Sequence, residues 1–182
     1  DRFPSWQKCY RDGFFNPSGG YVESARVIKA LAQKAQSQGI GVHPGCAVQS
    51  LKIENDQAVG VTLKGGRELL ADQVVVATGA WTQKLIPELQ TTLRSSGHSV
   101  FHFKPDEPEL FTFERFPVFF ADIQKTAIYG FPLHPLEKVV KIAMHDENQS
   151  VGDPCGPRQA RQEDEDYVRA FIKDKLPDLA TA

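Results

Sequence analysis

The sequence predicts a mixed α/β protein: part of a doubly wound domain comes first, followed by a domain built on an antiparallel sheet and closed by a helix. Three observations predict this. A helix-periodic stretch is followed by a hairpin pattern and a uniformly apolar run, Val74-Val75-Val76-Ala77. From residue 97 to 145, short β-rich runs alternate with breaks that hold Pro, Asp and Glu, and no helical pattern intervenes. A second amphipathic stretch then ends at Pro177.

Residues 1–20 read as an irregular lead-in that carries Phe3, Trp6, Tyr10, Phe14 and Phe15 and closes on the turn cluster Asn16-Pro17-Ser18-Gly19-Gly20. A helix is expected from about Glu23 to Gln38. Val27, Ile28, Leu31 and Ala35 fall at helical spacing, and Gly39 stands at the stop. A short strand is expected at Ile40–His43. Ala47–Glu54 and Ala58–Leu63 read as hairpin arms around Asn55-Asp56-Gln57, and Gly65-Gly66 turns into a further strand at Arg67–Ala71. The segment Gln73–Ala77 has the uniform apolar texture of a strand buried on both faces of a parallel sheet.

Beyond Pro87, strands are expected at Ser99–Phe103, Leu110–Phe113, Val118–Ala121, Ala127–Phe131 and Lys138–Ala143. Residues 146–160 read as a loop. Asp164–Leu176 reads as a surface helix with Tyr167, Val168, Phe171, Ile172 and Leu176 on one face.

Composition excludes several function classes. With 21 Lys+Arg against 23 Asp+Glu, the net charge of −2 offers no basic excess for nucleic acid and no polybasic patch for a membrane. Apolar runs are strand-sized, well short of a membrane span. The opening DRFPSWQKCY lacks the pattern of a signal peptide. Cys9, Cys46 and Cys155 are few, odd in number and widely spaced, which favours free thiols in a reducing compartment. The expectation is a soluble protein of the cytoplasm or of another reducing or peroxisomal compartment.

The stretch Val76-Ala77-Thr78-Gly79-Ala80-Trp81 lets the backbone pass close to a ligand, because Gly79 and Ala80 carry little or no side chain; an ordinary tight turn has the same appearance. His98 and His102 stand at i, i+4, but no adjacent Cys or Glu completes a metal set. Taken by itself, Lys141 reads as a solvated lysine on an outer sheet face, His145 as an exposed histidine and Tyr129 as an ordinary strand residue.

Three motifs in order change that reading: helix 23–38 with VVVATGAW behind it, Ile128-Tyr129-Gly130-Phe131-Pro132 running to Lys141-x-x-x-His145, and the segment Glu163–Phe171 with Leu176-Pro177. Together they resemble the central part of FAD-dependent amine oxidases of the D-amino-acid-oxidase superfamily, in particular the sarcosine oxidase-like enzymes. The resemblance spans residues 19–180. It implies that residues 21–90 are part of an FAD-binding doubly wound domain, and that 91–182, with the lead-in 1–20, form an antiparallel substrate domain. It implies that Val48 holds the adenine of FAD through its backbone, and that Thr78, Gly79, Ala80 and Trp81 line the dinucleotide cleft. Tyr129 and Phe131 would wall the substrate pocket. Lys141 would assist the reaction with O2, and His145 would face the same pocket from i+4. The implied reaction oxidises the C–N bond of an amino acid or secondary amine to an imine, with O2 reduced to H2O2.

The sequence also departs from the family. It has no Gly-x-Gly-x-x-Gly loop, and Cys155 stands too early to be the flavin-linking cysteine, so the chain is expected to be a central fragment. A dehydrogenase with another electron acceptor, or a non-catalytic binding module, are the alternative readings.

Overall fold

Strand pairing among the described residues makes three sheets, of three, two and four strands. The computed structural model describes residues 3–7, 10–125, 127–145, 149–151 and 153–181. Two compact units result: one of Asp1–Val22, Ser96–Val151 and Cys155–Ala182, the other of Glu23–Ser95 and Gly152–Pro154.

The second unit holds α1 (Ser24–Ser37) and a meander of β1 (Val48–Glu54), β2 (Gln57–Leu63) and β3 (Glu68–Leu70), paired antiparallel in that order. The β1–β2 loop is two residues, Asn55 and Asp56, both at positive φ (49° and 61°), the geometry of a tight turn matched to strand twist. Thr82–Leu85 forms a single turn, α2.

Two expected strands are absent here. Ile40–His43 is irregular: it is bracketed by Gly39 and Gly45 at φ +80° and +77°, which turn the chain before and after it. Gln73–Ala77 is irregular and joins no strand ladder among the described residues, and Val75 is 88% exposed. A strand of a parallel sheet is buried only when neighbouring strands flank it, and no described segment provides one. The run is apolar, yet none of its residues is buried.

In the first unit, β4 (Ser96–Gly97) pairs with β9 (Gln149–Ser150), so the stretch expected as one loop from 146 to 160 contains a strand; residues 146–148 of it lie outside the described residues. The main sheet has β5 (Val100–Phe103), β6 (Phe119–Ala121), β7 (Ile128–Phe131) and β8 (Val140–Met144), ordered β5-β8-β7-β6 and antiparallel throughout. Leu110–Phe113 is not a strand. Pro108 starts a 3-10 turn over Pro108–Phe111 and sends Phe111 into the core, fully buried.

Alternation gives the sheet two distinct faces. Val140, Ile142, Met144, Ile128, Phe103 and Ala121 face the core, where α3 (Gln162–Lys175) adds Val168, Phe171 and Ile172. Acidic residues open α3 and lysines close it, as the helix dipole favours. The lead-in is tied down against this unit: the Ser5 hydroxyl donates to the Leu110 carbonyl (3.1 Å), and Trp6 stacks on Phe116 and meets Phe119 edge-on. Cys46 and Cys155 are free thiols, while Cys9 lies outside the described residues.

Candidate active site

The sheet face turned away from the core carries the candidate chemistry. Strand pairing sets Phe131 and His102 directly across from Lys141, and Tyr129 across from Ala143. The Lys141 ammonium stands 4.6 Å from the Phe131 ring centroid and 5.6 Å from that of Tyr129. At that range an aromatic face attracts a cation. Among the described residues no carboxylate pairs with Lys141, and partial burial lowers its pKa from the ordinary 10.5. Burial likewise raises the pKa of the Tyr129 phenol above the ordinary value of 10.0, which keeps it protonated.

His145 lies just past the end of β8, where its backbone N–H donates to the Ala127 carbonyl at 3.1 Å. Its ring stacks on His98 (5.3 Å, 12° between planes) and meets Tyr129 and Phe120 edge-on at 6.5 and 6.2 Å. Tyr129 is therefore the common neighbour of Lys141 and His145. An open hollow of about 430 Å³, lined by Val118, Phe119, Phe120, Tyr129, Phe131 and His145, lies against this cluster.

The structure thus brings Tyr129, Phe131, Lys141 and His145 together. It adds Phe120, Tyr21 and His98, which sequence reasoning missed. Phe120 could have been found by counting alternate residues along the Phe-rich strand. His98 could not, because its meeting with His145 depends on the β4–β9 pairing. Among the described residues, His98 and His102 belong to no group of three potential metal ligands.

The second unit holds Val48, Thr78, Gly79, Ala80 and Trp81. Val48 opens β1, an edge strand. Gly79 begins a 3-10 turn (Gly79–Trp81) at φ +53°, with nothing within 4 Å of where a Cβ would stand. A left-handed, exposed glycine at the start of a helical turn suits close backbone approach by a phosphate-bearing group. The hydroxyls of Thr78 and Thr82 share a 3.1 Å hydrogen bond across that turn, and Trp81 is 46% exposed. These residues fit part of a dinucleotide site.

Comparison with known proteins decides the family. The family model described as FAD dependent oxidoreductase (DAO) matches residues 1–182. The chain belongs to the DAO family. It is 27% identical over 170 residues to monomeric sarcosine oxidase from Bacillus sp. (strain NS-129), covering 91% of this chain and 43% of that protein. N-methyl-L-tryptophan oxidase from Yersinia pestis (strain Pestoides F) is 26% identical over 166 residues, covering 90% and 43%. Among solved structures, fructosyl amine:oxygen oxidoreductase (Amadoriase I) from Aspergillus fumigatus shares the fold with a TM-score of 0.72 at 21% identity, over 88% of this chain and 39% of that one. NikD, an unusual amino acid oxidase, aligns with a TM-score of 0.66 at 23% identity, over 98% and 47%. The chain therefore spans less than half the length of these relatives.

The fold, a mixed helix and antiparallel-sheet arrangement like that of the DAO relatives, agrees with the sequence expectation. Among the described residues no helix is long and apolar enough to cross a membrane.

Proposed function

We propose that this chain supplies the substrate-facing sheet and part of the cofactor cleft of an FAD-dependent amine oxidase. The parent enzyme removes a hydride and a proton from the carbon and nitrogen of an amino acid or secondary amine. Water hydrolyses the imine that results, and O2 takes up two electrons and two protons to leave as H2O2. When bound, FAD supplies the two-electron chemistry. Val48 and the turn Thr78–Trp81 hold it in part, and residues 21–90 belong to its domain, with 91–182 and the lead-in forming the substrate domain.

The observation that carries this reading is the setting of Lys141: a cation with no carboxylate beside it among the described residues, partly buried and seated against two aromatic rings. A salt-bridged lysine would present little net field. An unpaired one in a partly dry pocket stabilises negative charge as it develops on O2. Tyr129 and Phe131 wall the space in which the amine is oriented. His145, resting against Tyr129, bounds its far side.

The test is Lys141→Met in the full-length enzyme, with the two half-reactions followed separately by stopped flow. Reoxidation by O2 should slow about 10²–10³-fold while anaerobic reduction by the amine changes little. Equal losses in both half-reactions would remove Lys141 from this role. No loss in either would point to an electron acceptor other than O2.

A further inference from the structure

We infer that Tyr21 is a positioning residue of this pocket: its ring, stacked on Phe131, fixes the aromatic seat on which the Lys141 ammonium rests. The inference builds on the role proposed for Lys141 and adds to it Tyr21, which follows the lead-in and stands in the first unit. The Tyr21 and Phe131 rings lie 5.1 Å apart and 11° from parallel. The Lys141 ammonium is 4.6 Å from the same Phe131 centroid, and the two residues are direct cross-strand partners.

Phe131 needs such a hold. It is the last residue of β7, and Pro132 follows it. Open hollows of about 430 and 540 Å³ touch it, the second lined by Ser18, Gly20, Tyr21, Val22 and Phe131. Its other ring contact is Tyr129, tilted at 53°. A ring beside two open spaces has room to change rotamer unless a flat partner lies against it.

Tyr21 is built for that task. The turn before it is closed by the Gly19 N–H on the Asn16 carbonyl (3.1 Å) and the Ser18 N–H on the Asn16 side chain (3.0 Å). The Tyr21 hydroxyl makes no hydrogen bond among the described residues, so its hold on Phe131 is ring against ring. Lys141 in turn has no carboxylate partner among the described residues, and its position follows the rings it rests on.

The experiment uses Tyr21→Ala and Tyr21→Phe in the full-length enzyme, alone and with Lys141→Met, together with crystal structures of both single variants. Tyr21→Ala should displace the Phe131 ring and slow reoxidation by about 3–10-fold, the range one aromatic pair is worth. It should also move the pH dependence of reoxidation upward, toward an ordinary lysine. Tyr21→Phe should restore both geometry and rate. Added to Lys141→Met, Tyr21→Ala should cost nothing more. An unmoved Phe131 ring in the Tyr21→Ala crystal, or a full additive loss on top of Lys141→Met, would overturn the inference. Should Lys141→Met leave reoxidation untouched, the proposed oxidase role fails by itself, and the position of Phe131 still decides the role of Tyr21.

Discussion

Helices α1 and α3 are each 14 residues long and each carry an apolar stripe, yet they meet opposite fates. In α3, Val168 and Ile172 are at most 1% exposed because the core face of the four-stranded sheet receives them. In α1, Ile28 and Leu31 are 65% and 59% exposed, and no residue of the helix is buried. The same periodicity specifies both helices. What differs is whether the described residues supply an apolar surface to cover the stripe. An amphipathic pattern therefore reports what a segment is fit to bury, not what it does bury.

Core substitutions should break that comparison most sharply. In this chain Phe111→Ala should destabilise the first unit by about 3–5 kcal/mol, read from urea unfolding, because a fully buried ring leaves a cavity. Leu31→Ala in α1 should stay within about 0.5 kcal/mol, since little apolar surface is lost. A large effect at Leu31 would mean that the α1 stripe is covered in solution.

Ion pairs give a second, smaller contrast. The Asp164 carboxylate is nearly buried and accepts from Arg161 at 2.5 and 3.2 Å and from the Ser99 hydroxyl at 2.5 Å, tying α3 to the segment that enters β5. Asp164→Asn should cost about 1.5–3 kcal/mol. In the other unit Asp153 pairs with Lys84 at 2.7 Å, with both side chains about half exposed, and Asp153→Asn should cost less than about 1 kcal/mol. Equal costs would show that the Asp164 cluster is wetter than its burial implies.

The smallest effect is a pH dependence. Burial lowers the pKa of Lys141 in the folded chain, so between that value and the unfolded 10.5 the unfolded state binds more protons. Stability should rise with pH through that window. Lys141→Met should accordingly raise the urea midpoint slightly near neutrality, and the gain should disappear above pH 10.5. A gain that persists there would come from packing of the methionine, not from the charge.

Much of the fold is legible in the sequence for local reasons. The hairpin turn at Asn55-Asp56, the two helices and strands β5 to β8 are announced by residue type and period. Two mistaken strands had similar composition but lacked a partner, a property that no stretch of sequence carries by itself. At Leu110–Phe113 the apolar and aromatic residues suit a strand, but Pro108 at the start of the 3-10 turn decides the local backbone instead. In the candidate site, strand alternation puts Lys141 and His145 on one face, but only the resemblance to a family singles them out with the Tyr-Gly-Phe segment, since each reads as an ordinary strand or surface residue by itself. Tyr21 and His98 were not legible, because each reaches the site across more than 45 residues of chain through ring contacts that only the folded sheet creates.

Strand β8 interleaves two vocabularies in five residues and the one that follows: Val140, Ile142 and Met144 speak to the core, while Lys141, Ala143 and His145 speak to the pocket. Because β8 is hydrogen-bonded on both edges, by β5 and by β7, the two sets cannot trade places by slipping. Mutation can therefore revise the pocket at odd-numbered positions without touching the packing at even ones, so the strand can vary in what it acts upon while continuing to fold in one way. A single inserted residue would erase that independence by driving the lysine inward and the isoleucine out.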